Sequence, residues 1–105
     1  MEKWNTKTTE ELAQAISALR SKQEAKKFLR DLLTPQEIME FSRRWQAARM
    51  LSESIPYSQI EKETGLSSTT VARVSRWLNK GMGGYKLMID RLAKTHHGQT
   101  LVRRG

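Results

Sequence analysis

The chain has 105 residues, no cysteine and a formal net charge of +8. The missing cysteine excludes disulfides and thiolate chemistry, and nothing points away from a reducing cytoplasm, the expected location. With 37% hydrophobic and 29% charged residues the chain reads as globular and soluble. No run approaches the roughly 18 apolar residues of a membrane span, and the opening MEKWNTKTTEE lacks the apolar core of a signal peptide.

Charge is distributed unevenly. Residues 1–63 hold 11 Lys or Arg against 10 Asp or Glu, whereas residues 64–105 hold 8 against 1. A field of one sign concentrates phosphate-rich ligands, so the second half is expected to face a polyanion. A fold of this size buries only about two thirds of the surface its unfolded form exposes. A partner subunit would add to that burial.

Taken in chain order, the apolar spacing is helical throughout and the fold class is all-α, with about six helices. Four starts carry a Ser or Thr followed three residues later by Glu, the reciprocal pattern that satisfies orphan amides at a helix N-terminus. These are Thr8 with Glu11, Ser21 with Glu24, Thr34 with Glu37 and Ser58 with Glu61. Leu12, Ile16 and Leu19 make a first stripe; Ala25, Phe28, Leu29 and Leu32 make a second. A third helix is expected from about Pro35 to Glu53, with Ile38, Phe41, Trp45, Ala48 and Leu51 on one face. First-turn proline is tolerated there because its missing N–H would have had no partner.

The segment YSQIEKETGLSSTTVARVSRWL, residues 57–78, has the spacing of a helix-turn-helix. Gly65 can take the left-handed conformation that ends the first motif helix. Ser67 or Ser68 is placed to cap the second. Ile60 lies five residues before the glycine and Leu66 directly after it; with Val71, Val74 and Leu78 facing inward, a turn of 100° per residue puts Thr69, Arg73, Arg76 and Lys80 on the opposite side. No Asp or Glu occurs between Thr64 and Lys86. Such a face suits a recognition helix, whose early residues meet base edges while cations hold phosphates. Thr69 and Thr70 are expected near base edges, Arg73 and Arg76 at bases or phosphates, and Lys80 at the backbone. Ser58 and Gln59 would fix register on a phosphate.

Beyond GMGG, where Gly81, Gly83 and Gly84 allow a sharp turn, Tyr85, Met88, Ile89 and Leu92 mark a last amphipathic helix. The domain is expected over residues 1–95, with the helix-turn-helix at about 57–79. Residues 96–105, HHGQTLVRRG, lack apolar periodicity and are expected to form a mobile basic tail. His96 and His97 have no further ligands placed around them, so no metal is expected. The chain carries no phosphate-cradling glycine loop and no convincing pairing of His with a carboxylate. Neither an enzyme nor a cofactor is expected.

LLTPQEIMEFSRRWQAARML, the helix-turn-helix and GMGGYKLMIDRL together resemble the tryptophan repressor superfamily, in particular its tryptophan-repressor-like YerC/YecD branch. The likeness spans about Leu12 to Leu92. It implies an intertwined all-helical homodimer, with two reading heads about 34 Å apart on double-stranded DNA. It also implies that Thr34, Arg44 and Arg73 match positions that surround bound tryptophan in the founding member. Val74 stands where that member has glycine and Trp77 where it has serine, and both add bulk where a ligand ring would lie. A regulator not gated by tryptophan is therefore expected, with Thr34, Arg44, Arg73, Val74 and Trp77 as a vestigial pocket. Thr34 is equally accounted for as a helix cap, and Arg44 by pairing with Glu37 or Glu40 on its own helix. An alternative partner is RNA or another protein on the same fold. Few aromatic residues are available for base stacking, which disfavours single-stranded RNA.

Overall fold

The computed structural model describes residues 2–104, with side chains as far as Lys94. Six helices follow one another: α1 (Lys7–Ser17), α2 (Lys22–Leu32), α3 (Pro35–Ser52), α4 (Tyr57–Thr64), α5 (Ser68–Lys80) and α6 (Gly84–Arg104). No strand occurs among the described residues. The side chains of the expected tail, including His96 and His97, lie outside the described residues.

Of the four expected reciprocal caps, that of Thr34 with Glu37 forms as read, and that of Ser21 with Glu24 forms with the return bond going to the preceding residue. Glu24 N–H donates to Ser21 Oγ at 3.1 Å, and Arg20 N–H donates to Glu24 Oε1 at 2.9 Å. At α3, Glu37 N–H donates to Thr34 Oγ1 at 3.1 Å and Thr34 N–H to Glu37 Oε1 at 2.9 Å. The other two need correction. Helix α1 is capped by Thr6 with Thr9, not by Thr8 with Glu11: the Thr9 hydroxyl is short enough to fold back, accepting from Thr6 N–H at 2.7 Å. Helix α4 begins after Pro56, whose φ of −60° and ψ of 145° set the chain at the entrance, so Ser58 lies inside the first turn and no side chain caps it.

The chain divides into two compact units, Met1–Ile38 and Met39–Gly105. In the first, α1 and α2 bury none of their residues. Of their expected apolar stripes, Leu12, Ile16, Leu29 and Leu32 are exposed, Ile16 at 51% and Leu32 at 45%, whereas Leu19, Ala25 and Phe28 are half-buried.

The second unit contains the buried core: Ala47, Ala48 and Met50 from α3, Ile60 from α4, and Val71 and Val74 from α5. Trp45, Leu51, Ile55, Leu66, Tyr85 and Ile89 pack around it. Trp45 and Tyr85 stack with centroids 6.2 Å apart and 23° between planes, an offset favoured by the ring quadrupoles. Complete burial of Val71 and Val74 contributes about 1.5–3 kcal/mol each and pins α5 by its inner face.

Helix α3 ends in a Schellman turn. Ile55 N–H donates to the Met50 carbonyl at 3.1 Å and Ser54 N–H to that of Leu51 at 3.0 Å. Ser54 occupies the left-handed position with φ 62°, a place usually taken by glycine.

Candidate functional site

The turn between α4 and α5 is built by its own side chains. Gly65 has φ 76°, and its N–H donates to the Glu61 carbonyl at 2.9 Å. Thr64 is buried; its hydroxyl donates to the Ile60 carbonyl at 2.7 Å and accepts from Leu66 N–H at 3.2 Å. That hydroxyl ties the end of α4 to the turn, a role the sequence reading missed. Its signal is a threonine directly before the left-handed glycine, since a short hydroxyl can reach a carbonyl one turn back.

Ser67 is the cap of α5, accepting from Thr70 N–H at 3.2 Å. The Ser67 and Thr70 hydroxyls lie 3.0 Å apart, so both are partly committed to the cap. Val71, Val74 and Leu78 are buried, while Ser68, Thr69, Arg73, Arg76 and Lys80 are exposed and Thr70 half-buried. The three cations have no ion-pair partner among the described residues. The outer face of α5 is therefore a row of hydroxyl and cationic groups with a wholly aliphatic underside. Ser58 and Gln59 are exposed on α4, and Gln59 Nε2 donates to Glu63 Oε2 at 2.7 Å.

Of the residues matched to a ligand pocket, Arg44, Arg73, Val74 and Trp77 belong to the second unit. Arg44 Nη2 lies 3.1 Å from Glu40 Oε2. Its guanidinium carbon is 5.7 Å from the Phe41 ring centroid and 5.9 Å from that of Trp77. Val74 is wholly buried, and Trp77 is 43% exposed. Arg73 stands on the outer face of α5. Thr34 belongs to the first unit, where its side chain caps α3.

Tyr85, on α6, packs against the core. Burial raises its pKa above the ordinary 10.0, and the Arg44 charge partly opposes that rise. No group of three or more His, Asp or Glu able to hold a metal occurs among the described residues. No helix among them is long and apolar enough to cross a membrane.

A short helix, a left-handed glycine and a capped second helix with a cationic outer face define a helix-turn-helix protein. The family model described as Trp repressor protein matches residues 7–93, and the chain belongs to that family of regulators. The uncharacterized protein YerC of Bacillus subtilis (strain 168) is 38% identical over 95 residues, covering 90% of this chain and 91% of YerC. A TrpR-like protein from Eubacterium eligens ATCC 27750 superposes with a TM-score of 0.81 at 41% identity, covering 87% of this chain and 94% of that one. A Staphylococcus aureus protein provisionally described as a Trp repressor gives 0.81 at 36% identity, covering 87% and 91%. The tryptophan-repressor-like resemblance and the all-helical fold class thus hold, and the family is one of regulators rather than enzymes.

Proposed function

We propose that this protein is a sequence-specific, double-stranded DNA-binding transcriptional regulator of the repressor type, acting as a homodimer in the cytoplasm. The observation that carries the reading is the α5 ridge: Thr69, Arg73, Arg76 and Lys80 are exposed, unneutralised by any acid, and held outward by buried Val71, Val74 and Leu78. Thr69 and Thr70 stand near base edges. Arg73 and Arg76 reach guanines or phosphates, Lys80 holds the backbone, and Ser58, Gln59, Ser67 and Ser68 fix register.

Homodimer formation is supported by apolar surface that one chain leaves in water. Leu12, Ile16, Leu29 and Leu32 are exposed in the first unit, and Phe41, Met88 and Leu92 in the second. Stripes at helical spacing on helices that bury nothing are those of helices awaiting a partner.

Tryptophan does not gate this regulator. Val74 fills the space beneath the α5 backbone, and the Trp77 indole lies against Arg44, where a ligand ring would otherwise stack. Calorimetric titration with L-tryptophan is expected to give no micromolar binding. Competition among duplex DNA, structured RNA and heparin at two salt concentrations tests the partner. Sequence-dependent retention of duplex alone supports this reading, and preference for structured RNA overturns it.

A further inference from the structure

Arg44 meets several groups at once. Glu40, one turn earlier on α3, holds Nη2 at 3.1 Å, and the rings of Phe41 and Trp77 lie 5.7 and 5.9 Å from the guanidinium carbon. Its Nε is buried with no hydrogen-bond partner among the described residues. The guanidinium has more around it than its one ion pair. Attraction between the cation and the two ring faces adds to that pair.

Helix α5 runs closest to α4 and α6, and its link to α3 is made by side chains. Val71, Val74 and Leu78 turn the aliphatic face of α5 inward; apolar packing is itself non-directional, and a directional contact on the same helix sharpens the angle it sets. A guanidinium facing a ring, and tethered from behind by a carboxylate, is directional. Trp77 follows Arg76 directly and stands one helical turn after Arg73 on the same helix, so a contact that fixes where Trp77 sits also fixes the direction in which both arginines leave α5.

We infer that Arg44 is a positioning residue which, by gripping the Trp77 ring, sets the angle at which the α5 ridge is presented to DNA without itself touching DNA. The clamp is independent of what α5 binds; its effect on affinity rests on the DNA-binding reading above. An arginine that instead neutralised a phosphate would leave a different mark, because removing one such cation lowers the salt slope of binding by about 0.9.

The test uses the full chain and the duplex recovered by selection from genomic fragments. Arg44→Ala and Trp77→Ala are each expected to weaken binding about tenfold with the salt slope unchanged, and the double variant to be no weaker than the worse single one. Trp77→Phe, which keeps a ring face, is expected to retain most of the affinity, and Arg44→Lys to fall between Ala and the parent. The Trp77 indole N–H resonance, assigned by its loss in Trp77→Phe, should move in Arg44→Ala while the protein stays folded. Additive losses, a salt slope reduced by about one, or an unmoved indole resonance would each overturn the inference. If the parent chain binds no duplex, the DNA-binding reading fails by itself. The clamp is then decided by a thermal double-mutant cycle: coupling between the two positions sustains it, and additivity overturns it.

Discussion

The Gly81 N–H donates to the Trp77 carbonyl at 2.9 Å, closing the last turn of α5 so tightly that a Cβ on residue 81 would collide with that same carbonyl oxygen. Because the obstacle is backbone, no rotamer relieves it. Gly81→Ala is expected to cost about 1–3 kcal/mol of stability, read from urea melts. Gly84→Ala has open space around the added methyl and lies at the start of α6, so it should be neutral or stabilising by up to about 1 kcal/mol.

The Schellman turn after α3 offers the opposite case. Ser54 holds φ 62° in a position where its Cβ is strained. Ser54→Gly is expected to raise stability by up to about 1 kcal/mol, with the denaturant midpoint moving up and the m-value unchanged. Its effect on ligand binding should be nil, since the turn contributes nothing to the α5 ridge.

Alkaline stability should depend on Tyr85. Its pKa is raised in the folded chain by burial, against a smaller lowering by Arg44, so the folded state holds the phenolic proton more tightly than the unfolded one. The contribution is fully present below the unfolded value of 10.0 and is lost as pH rises through the raised folded value. Tyr85→Phe should flatten the fall in melting temperature above that pH. An equally steep fall in the variant would place its cause elsewhere.

The parts of this fold that are local in sequence could be read from it. Gly65, the Ser67 cap and the Val71, Val74, Leu78 spacing sit within one short stretch, and each has a backbone reason to be where it is. What lay beyond reach is tertiary. Arg44 and Trp77 are far apart in the chain, and no pattern within either helix announces that they meet; only the family resemblance grouped them in one pocket. Ala47 and Met50 were missed because they flank the expected α3 stripe and are buried in the core that α4 and α5 complete. The caps at Thr8 and Ser58 failed for a subtler reason. Polar residues crowd both starts, and a short hydroxyl pair in one case and a proline in the other won the competition. For the candidate site, the face of α5 was legible from charge and period together, whereas the commitment of Ser67 and Thr70 to each other was not.

The outward ridge of α5 is tested most directly by measuring duplex affinity for the parent chain and for Arg73→Ala with Arg76→Ala combined, against the sequence enriched from a pool of genomic fragments. Expected is a palindromic target with half-sites about one helical turn apart. The double variant should lose at least about tenfold in affinity, or about 1–3 kcal/mol for each arginine that reads a guanine, with a shallower salt dependence where phosphates are involved. Unchanged affinity for that target in the double variant would contradict it.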